Sequence, residues 1–178
     1  MSVKKVLRMG DPVLMKIADI VPVFNTAALS MLVQDLLDTM VAQDGAGLAA
    51  PQIGINQRVV VFGMAANPRY PDEEKISMTV LINPVIERLS DAMEYGWEGC
   101  LSVPGLRGEV PRYTHIRYSG FDQFGMKIER EVKDFHARVV QHECDHLDGI
   151  LYPQRMTNMR TFGYEAELER AAGMEKKS

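Results

Sequence analysis

Hydrophobic residues recur at steps of three and four positions between residues 26 and 43. This spacing predicts one apolar stripe along an α-helix, because an α-helix completes a turn every 3.6 residues. The stripe consists of Leu29, Leu32, Val33, Leu36, Leu37, Met40 and Val41. Asn25 is the expected N-cap, since its side chain can accept a hydrogen bond from the first helical turn. We therefore predict an amphipathic helix over residues 26–43.

Short apolar runs in the middle of the chain predict β-strands. The predicted strands are residues 59–62, 78–83, 85–94, 116–121 and 127–133. Pro84 is expected to end the second strand, because proline cannot donate a hydrogen bond to a neighbouring strand. The polar, proline-containing segment 64–77 is expected to form a surface loop, in which residues 67–74 are longer than a minimal connection requires.

Two further helices are predicted in the last third of the chain. One follows Asp134 as a cap and ends at Gly149, and the other begins near Phe162, runs to Arg170 and ends at Gly173. The strands thus cluster in the middle and the helices lie towards both ends. This order predicts an α+β fold, in which an antiparallel or mixed sheet packs around the helix after Asp134.

Length and composition predict a single soluble domain over residues 1–178. Hydrophobic residues make up 46% and charged residues 25% of the chain, which is ordinary for a globular protein. A net charge of -4 gives no reason to expect a nucleic-acid partner. No apolar run approaches the roughly 20 residues of a membrane span, and the N-terminus lacks the apolar core of a signal peptide. We therefore expect a cytoplasmic protein.

The sequence H-E-x-x-H at His142, Glu143 and His146 is the strongest chemical signal. Residues four apart lie on one face of an α-helix, so both imidazoles can bind one small metal ion. Glu143 is then placed to accept a proton from water activated by that ion. Cys144 lies about 200° around the helix from His142 and is predicted to be a buried filler.

The residues alone do not decide which side chain is the third metal ligand. A metzincin would have histidine where this chain has Tyr152, so that class is excluded. A thermolysin-like protease would use a glutamate from a later helix, and Glu165, Glu167 and Glu169 are available. Cys100, as a thiolate, is the other candidate. A non-catalytic module is also possible, although a structural zinc site ordinarily has a fourth protein ligand and none is evident.

Three segments together resemble the signature motifs of the peptide deformylases. They are Gly45 to Gln52 (GAGLAAPQ), Glu98 to Ser102 (EGCLS) and Gln141 to Leu147 (QHECDHL), in that family's order. The residues within these motifs and the predicted C-terminal helix resemble those of the type I, Gram-negative or organellar branch. The resemblance implies a hydrolase that removes the formyl group from N-formylmethionyl nascent chains, with possible transient ribosome contact and with no membrane partner.

The resemblance also implies roles for particular residues. Metal ligation falls to Cys100, His142 and His146, acid–base catalysis to Glu143, and stabilisation of the developing oxyanion to the Gln52 amide and the backbone N–H of Leu101. It implies one divalent ion per chain, Fe(II) in cells, with Zn(II), Ni(II) or Co(II) able to occupy the site. Ligand type alone does not separate these metals.

The remaining predictions concern the surroundings of the site. The resemblance implies that the Ala46–Gly47 segment contacts substrate and that Glu98 pairs with Arg112 behind the cysteine turn. Arg107 is a candidate for binding the substrate backbone or carboxylate. Phe135 and Val139 precede His142 by seven and three residues and are predicted to line an apolar methionine pocket. Asp145 is predicted to accept the second N–H of a ligand imidazole, as carboxylates often do. His115 and His136 are predicted to be structural.

Overall fold

The computed structural model describes residues 2–64 and 75–175. The helices of this part are α1 (Ala27–Ala42), α2 (Asp134–Leu147) and α3 (Glu165–Glu175). The strands are β1 (Gly47–Ala49), β2 (Val59–Met64), β3 (Ile76–Arg88), β4 (Met93–Cys100), β5 (Val103–Tyr113), β6 (His115–Phe121), β7 (Lys127–Lys133) and β8 (Gly163–Tyr164). Short 3-10 helices occupy Pro12–Met15, Ala50–Ile53, Tyr152–Arg155 and Met159–Thr161.

The strands form two sheets. One has five strands in the order β1-β2-β3-β6-β7, and the other has three in the order β4-β5-β8. Every pairing between these strands is antiparallel. The predicted α+β class is therefore confirmed, with antiparallel rather than mixed sheets.

Helices cover both faces of the five-stranded sheet. Side chains alternate between the faces of a strand, so Val59 and Val61 of β2 pack with α1 while Val60 and Phe62 pack with α2. The apolar stripe predicted for the first helix provides the contact, and Leu36 at its centre is fully buried. Val41 was wrongly included in this stripe, because its side chain faces solvent and is 66% exposed. Helix α2 also contacts β5, so it lies between the two sheets. The H-E-x-x-H sequence is thereby held in the interior.

Two boundaries in the first half differ from the prediction. Thr26, not Asn25, caps α1, and its Oγ1 accepts the Leu29 N–H at 3.1 Å. Strand β3 continues through Pro84 because the register shifts between Ile82 and Val85, which gives a residue without an N–H a place outside the regular ladder. The proposed loop segment 67–74 lies outside the described residues.

The second half differs at several points. The predicted strand 85–94 is not one element, because β3 ends at Arg88 and β4 begins at Met93. The sequence predicts no strand between residues 94 and 116, where most of β4 and all of β5 lie. Asp134 is the first residue of α2 and not its cap. Gly149 follows the helix with φ of 71°, as expected of a residue that ends a helix. The last helix begins at Glu165 and not near Phe162, because Gly163–Tyr164 pairs with β5 as strand β8. It also continues past Arg170, so that Gly173 lies inside it. No helix within the described ranges is long and apolar enough to cross a membrane.

Candidate metal centre

Three potential metal ligands converge where the two sheets meet α2. Cys100 ends β4, and His142 and His146 lie one turn apart on α2. One donor atom from each lies within 4.8 Å of the others, and Cys100 Sγ lies 3.4 Å from His146 Nε2. A thiolate and two imidazoles form a donor set typical of zinc and other first-row transition metals. The residues present therefore fit a tightly bound divalent ion.

The turn between β4 and β5 presents the sulfur of Cys100. Regular pairing shifts register after Gly99, and Cys100 then pairs with Val103 across a two-residue turn. The Ser102 backbone N–H donates to Cys100 Sγ at 3.4 Å. The Gln52 side-chain amide donates to the same sulfur at 3.5 Å. These two contacts hold the sulfur beside the imidazoles of His142 and His146.

Glu98 orients the first imidazole. His142 Nδ1 lies 2.8 Å from Glu98 Oε2, so its Nε2 is left for the metal side of the ring. Arg112 binds both oxygens of Glu98, from Nε at 2.9 Å and Nη2 at 3.0 Å. Burial raises the pKa of Glu98, but the charges and hydrogen bonds of Arg112 and His142 outweigh it and hold that pKa well below its usual range. Glu98 thus stays ionised, and its predicted pairing with Arg112 is present.

The prediction for Asp145 is wrong in its partner. Asp145 Oδ2 accepts from Arg112 Nη1 at 2.5 Å, and Oδ1 accepts from Arg155 Nη2 at 2.7 Å. Arg112 reaches this side chain from β5, and Asp145 is not in the group of three converging ligand residues of the described part. Asp145 therefore acts on the site indirectly, because it holds Arg112, which in turn holds Glu98.

Glu143 is buried beside the ligands. Its Oε2 has no hydrogen-bond partner among the described residues. Burial raises the pKa of Glu143 to about 7, against the opposing charge of His142. A carboxyl group with a pKa near neutrality can both take and return a proton, which is the requirement for acid–base catalysis.

Gln52 faces the same space from the 3-10 helix Ala50–Ile53 and is almost fully buried. Its Oε1 accepts the Ala49 N–H at 2.8 Å, which fixes the orientation of the amide. Its Nε2 donates to Ser102 Oγ at 3.1 Å, in addition to Cys100 Sγ. A preorganised N–H donor therefore lies next to the candidate metal position.

A cleft opens over these groups. Predicted residues in its lining are Ala46, Gly47, Gln52, Glu98, Cys100, Leu101, Phe135, Val139, His142 and Glu143. Trp97 and Arg138 also line it, and neither was predicted. Arg138 precedes His142 by one helical turn, so helix spacing would have placed it on this face.

Arg107 and the C-terminal glutamates lie elsewhere. Arg107 is not among the residues lining the cleft, and its Nη1 lies 3.2 Å from Glu165 Oε1. Glu167 forms an ion pair with Arg170 on an exposed face of α3. Because no C-terminal glutamate joins the three-donor cluster found in the described part, the geometry does not favour a thermolysin-like ligand set.

The other cysteine and histidines have structural surroundings. Cys144 is buried, and burial is the main cause that raises the pKa of its thiol and keeps it protonated. His115 Nε2 lies 2.7 Å from Glu131 Oε1 on the sheet surface. His136 lies 3.4 Å from the Tyr118 hydroxyl and packs edge-on against Phe62. These positions agree with their predicted structural roles.

Known proteins resemble this chain over nearly its whole length. Residues 3–162 match the family model described as polypeptide deformylase. Peptide deformylase 1 of Nitrosomonas europaea is 59% identical over 162 residues, 91% of this chain and 92% of that protein. Peptide deformylase 2 of Ralstonia nicotianae has the same identity and coverage. The Met-Ala-Ser-bound crystal structure of class I type b peptide deformylase from Acinetobacter baumannii is 40% identical, with a TM-score of 0.84, and covers 88% of this chain and 100% of that one.

Proposed function

This chain belongs to the peptide deformylase family, and we propose that Cys100, His142 and His146 are the ligands of its catalytic metal ion. It is a metal-dependent hydrolase that removes the formyl group from N-terminal methionine. The observation that carries the site assignment is the convergence of one sulfur and two imidazoles beside the buried carboxyl group of Glu143. Neither a protease nor a purely structural metal module is supported.

Glu143 is the proposed acid–base residue. A bound divalent ion lowers the pKa of a water ligand towards neutrality and polarises a carbonyl oxygen. Glu143 takes the proton of the attacking water while a C–O bond forms at the formyl carbon. It then delivers that proton to the methionine nitrogen as the C–N bond breaks. Formic acid, which ionises to formate in water, and a free amino terminus are released, and Glu143 is ionised again.

Gln52 and the backbone N–H of Leu101 are the proposed donors to the formyl oxygen. Negative charge accumulates there only after the attack, so donors that are already fixed stabilise the transition state selectively. The Ala49 N–H and Ser102 Oγ hold the Gln52 amide in place before substrate arrives. Leu101 immediately follows Cys100 in the turn that lines the cleft.

The substrate backbone is proposed to lie along β1. This strand is at the edge of its sheet and pairs with β2 alone among the described strands. An extended peptide can bind such an edge as an added strand, which would bring it past Ala46 and Gly47. The methionine side chain would then enter the space between Phe135 and Val139 on α2. The related Acinetobacter baumannii enzyme has been crystallised with Met-Ala-Ser bound, a peptide of the product type.

The metal in cells is proposed to be Fe(II). A thiolate–imidazole set accepts Zn(II), Ni(II) and Co(II) as well, so availability decides which ion is loaded. Ferrous ion bound to a thiolate is open to oxidation, whereas Zn(II) has no redox chemistry. Fully loaded Fe(II) enzyme should lose activity faster in air than under argon, and equal lifetimes would contradict an iron-centred loss.

The substrates are proposed to be nascent chains met in the cytoplasm, where formylmethionyl termini emerge from the ribosome. Transient ribosome contact would raise the local substrate concentration. Residues 1–178 are proposed to act as one catalytic domain, because the family match spans both the cysteine turn and the histidine helix.

Metal analysis combined with a formate-release assay tests the site. Wild-type protein purified without oxygen should hold one metal ion per chain and release formate from a formyl-Met peptide. Cys100→Ala should lose most of its metal and nearly all activity. Glu165→Ala is the matched control, since Glu165 contacts Arg107 and not the ligand cluster. If Glu165→Ala lost the metal while Cys100→Ala kept it, the ligand assignment would fall.

A further inference from the structure

Arg138 connects the histidine helix to the cysteine strand. It lies one turn before His142 on α2, and only 12% of its side chain is exposed. Its Nη2 donates to the Glu94 carbonyl of β4 at 2.8 Å. Its Nη1 donates to the Val110 carbonyl of β5 at 2.8 Å. One guanidinium thus fixes α2 against the hairpin whose tip carries the metal-binding sulfur.

The same guanidinium reaches the carboxylate that orients His142. Arg138 Nη1 lies 3.0 Å from Glu98 Oε1, while His142 Nδ1 lies 2.8 Å from Glu98 Oε2. Arg112 contacts both oxygens. Glu98 is therefore held by two arginines from different elements, one from β5 and one from α2. Rotation of the carboxylate would break a bond to at least one of them.

Gly96 provides the space for this contact. A Cβ atom at residue 96 would lie 2.7 Å from Arg138 Cζ, 2.8 Å from Nη2 and 2.9 Å from Nε. The guanidinium plane therefore lies directly over the bare Cα of β4. Because Gly96 pairs with Val110 within the sheet, the strand cannot readily move away. The arginine would have to give up its position instead.

We propose that Arg138 is a positioning residue of the metal centre, and that Gly96 is required for it to act. It fixes the Glu98 carboxylate, which fixes the His142 ring, and it sets the separation between α2 and the Cys100 turn. The inference rests on the proposed function only in taking His142 and Cys100 as metal ligands. Removal of outer groups of this kind typically costs about 10- to 100-fold in metal affinity or activity.

The test measures metal release from the Ni(II)-loaded holoenzyme into excess chelator. Arg138→Met keeps an unbranched apolar stem but removes every donor, and release should become about 10-fold faster or more. Arg138→Lys keeps the charge without the forked geometry and should recover only part of this loss. Full recovery by lysine would overturn the proposal, since charge alone would then be sufficient.

A double-mutant cycle separates positioning from general loss of stability. Gly96→Ala should speed release as Arg138→Met does, because the new Cβ displaces the guanidinium. In the Arg138→Met background, Gly96→Ala should add less than about twofold, since the group it displaces is already gone. Independent, multiplicative effects would contradict the proposal, as would a release rate of Arg138→Met within twofold of wild type.

Arg58→Met is the matched control for the cycle. Arg58 is similarly buried and anchors the other end of α2, through the Leu147 carbonyl at 3.2 Å and Asp148 Oδ1 at 2.8 Å. Arg58→Met should lower thermal stability, but its effect on metal release should be independent of Gly96→Ala. If Arg58→Met coupled to Gly96→Ala as strongly as Arg138→Met does, the specific role of Arg138 would be overturned. Metal content and formate release of the wild type test the ligand assignment separately. If Arg138→Met fails to fold, Gly96→Ala and Arg138→Lys still decide the question.

Discussion

Glu143 packs directly against the bare Cα of Gly47. A Cβ atom at residue 47 would lie 2.7 Å from Glu143 Cγ and closer still to its carboxyl group. The edge strand proposed to bind substrate and the proposed acid–base residue therefore touch each other. A glycine is required at this point by the side chain of Glu143, and not by its own backbone angles.

Gly47→Ala should lower turnover strongly by displacing Glu143. A displaced carboxyl group loses acid–base assistance, which is typically worth about 10²- to 10⁴-fold. We expect kcat for formate release to fall towards that range while the bound metal is retained. Gly45→Ala is the matched control, because its Cβ would lie 3.1 Å from Leu101 Cδ1 and 3.3 Å from both the Gly47 carbonyl oxygen and Met40 Cγ, and its nearest neighbours do not include Glu143. A Gly47→Ala enzyme no slower than Gly45→Ala would contradict the claimed contact.

The stability of the metal-free protein should depend on pH through Glu143. Its folded-state pKa of about 7 is raised from 4.5, chiefly by burial, so the ionised form is disfavoured in the folded protein. The contribution of Glu143 is therefore fully present below pH 4.5 and is lost as pH rises through about 7. In urea unfolding of the metal-free protein, the free energy of unfolding of Glu143→Gln relative to wild type should rise by roughly 3 kcal/mol between pH 4.5 and about 7. A difference that is constant with pH would show that the group is not titrating.

Gln52→Leu should act on the transition state more than on substrate binding. Loss of one oxyanion donor typically lowers kcat by about 10²- to 10³-fold. We expect kcat to fall by this amount with a KM that changes little. Ser102→Ala removes the hydroxyl that Gln52 contacts at 3.1 Å and should cost less, because the Ala49 N–H still holds the amide. An effect of Gln52→Leu confined to KM would mean that Gln52 only binds substrate.

The sequence predicts the elements that have strong periodicity and the chemistry that has fixed local spacing. Helix α1 has a continuous apolar stripe, and the two histidines of α2 are four residues apart, so both were placed correctly. Strand β5 contains Pro104 and Pro111 together with Gly105 and Gly108, and such residues usually indicate turns. It is a strand because β4 and α2 hold it in place, and local sequence cannot show this.

The surroundings of the site were less predictable because they depend on distant partners. Asp145 is next to His146 in the chain, and proximity suggested a hydrogen bond between α2 neighbours. In the fold, Arg112 enters from β5 and takes that carboxylate. The importance of Arg138 likewise depends on Gly96, which lies 42 residues earlier and meets it only across the hairpin. Such pairs follow from packing between elements and not from a motif.

The measurement that tests the central claim most directly is single-turnover formate release by metal-loaded Glu143→Gln. Glutamine nearly preserves the size of the side chain, so the variant should bind one metal ion per chain and keep the fold. It cannot take a proton from water, so release from a formyl-Met peptide should fall by at least about 10²-fold. Near-normal release by fully loaded Glu143→Gln would contradict the account, because proton transfer would then not pass through Glu143.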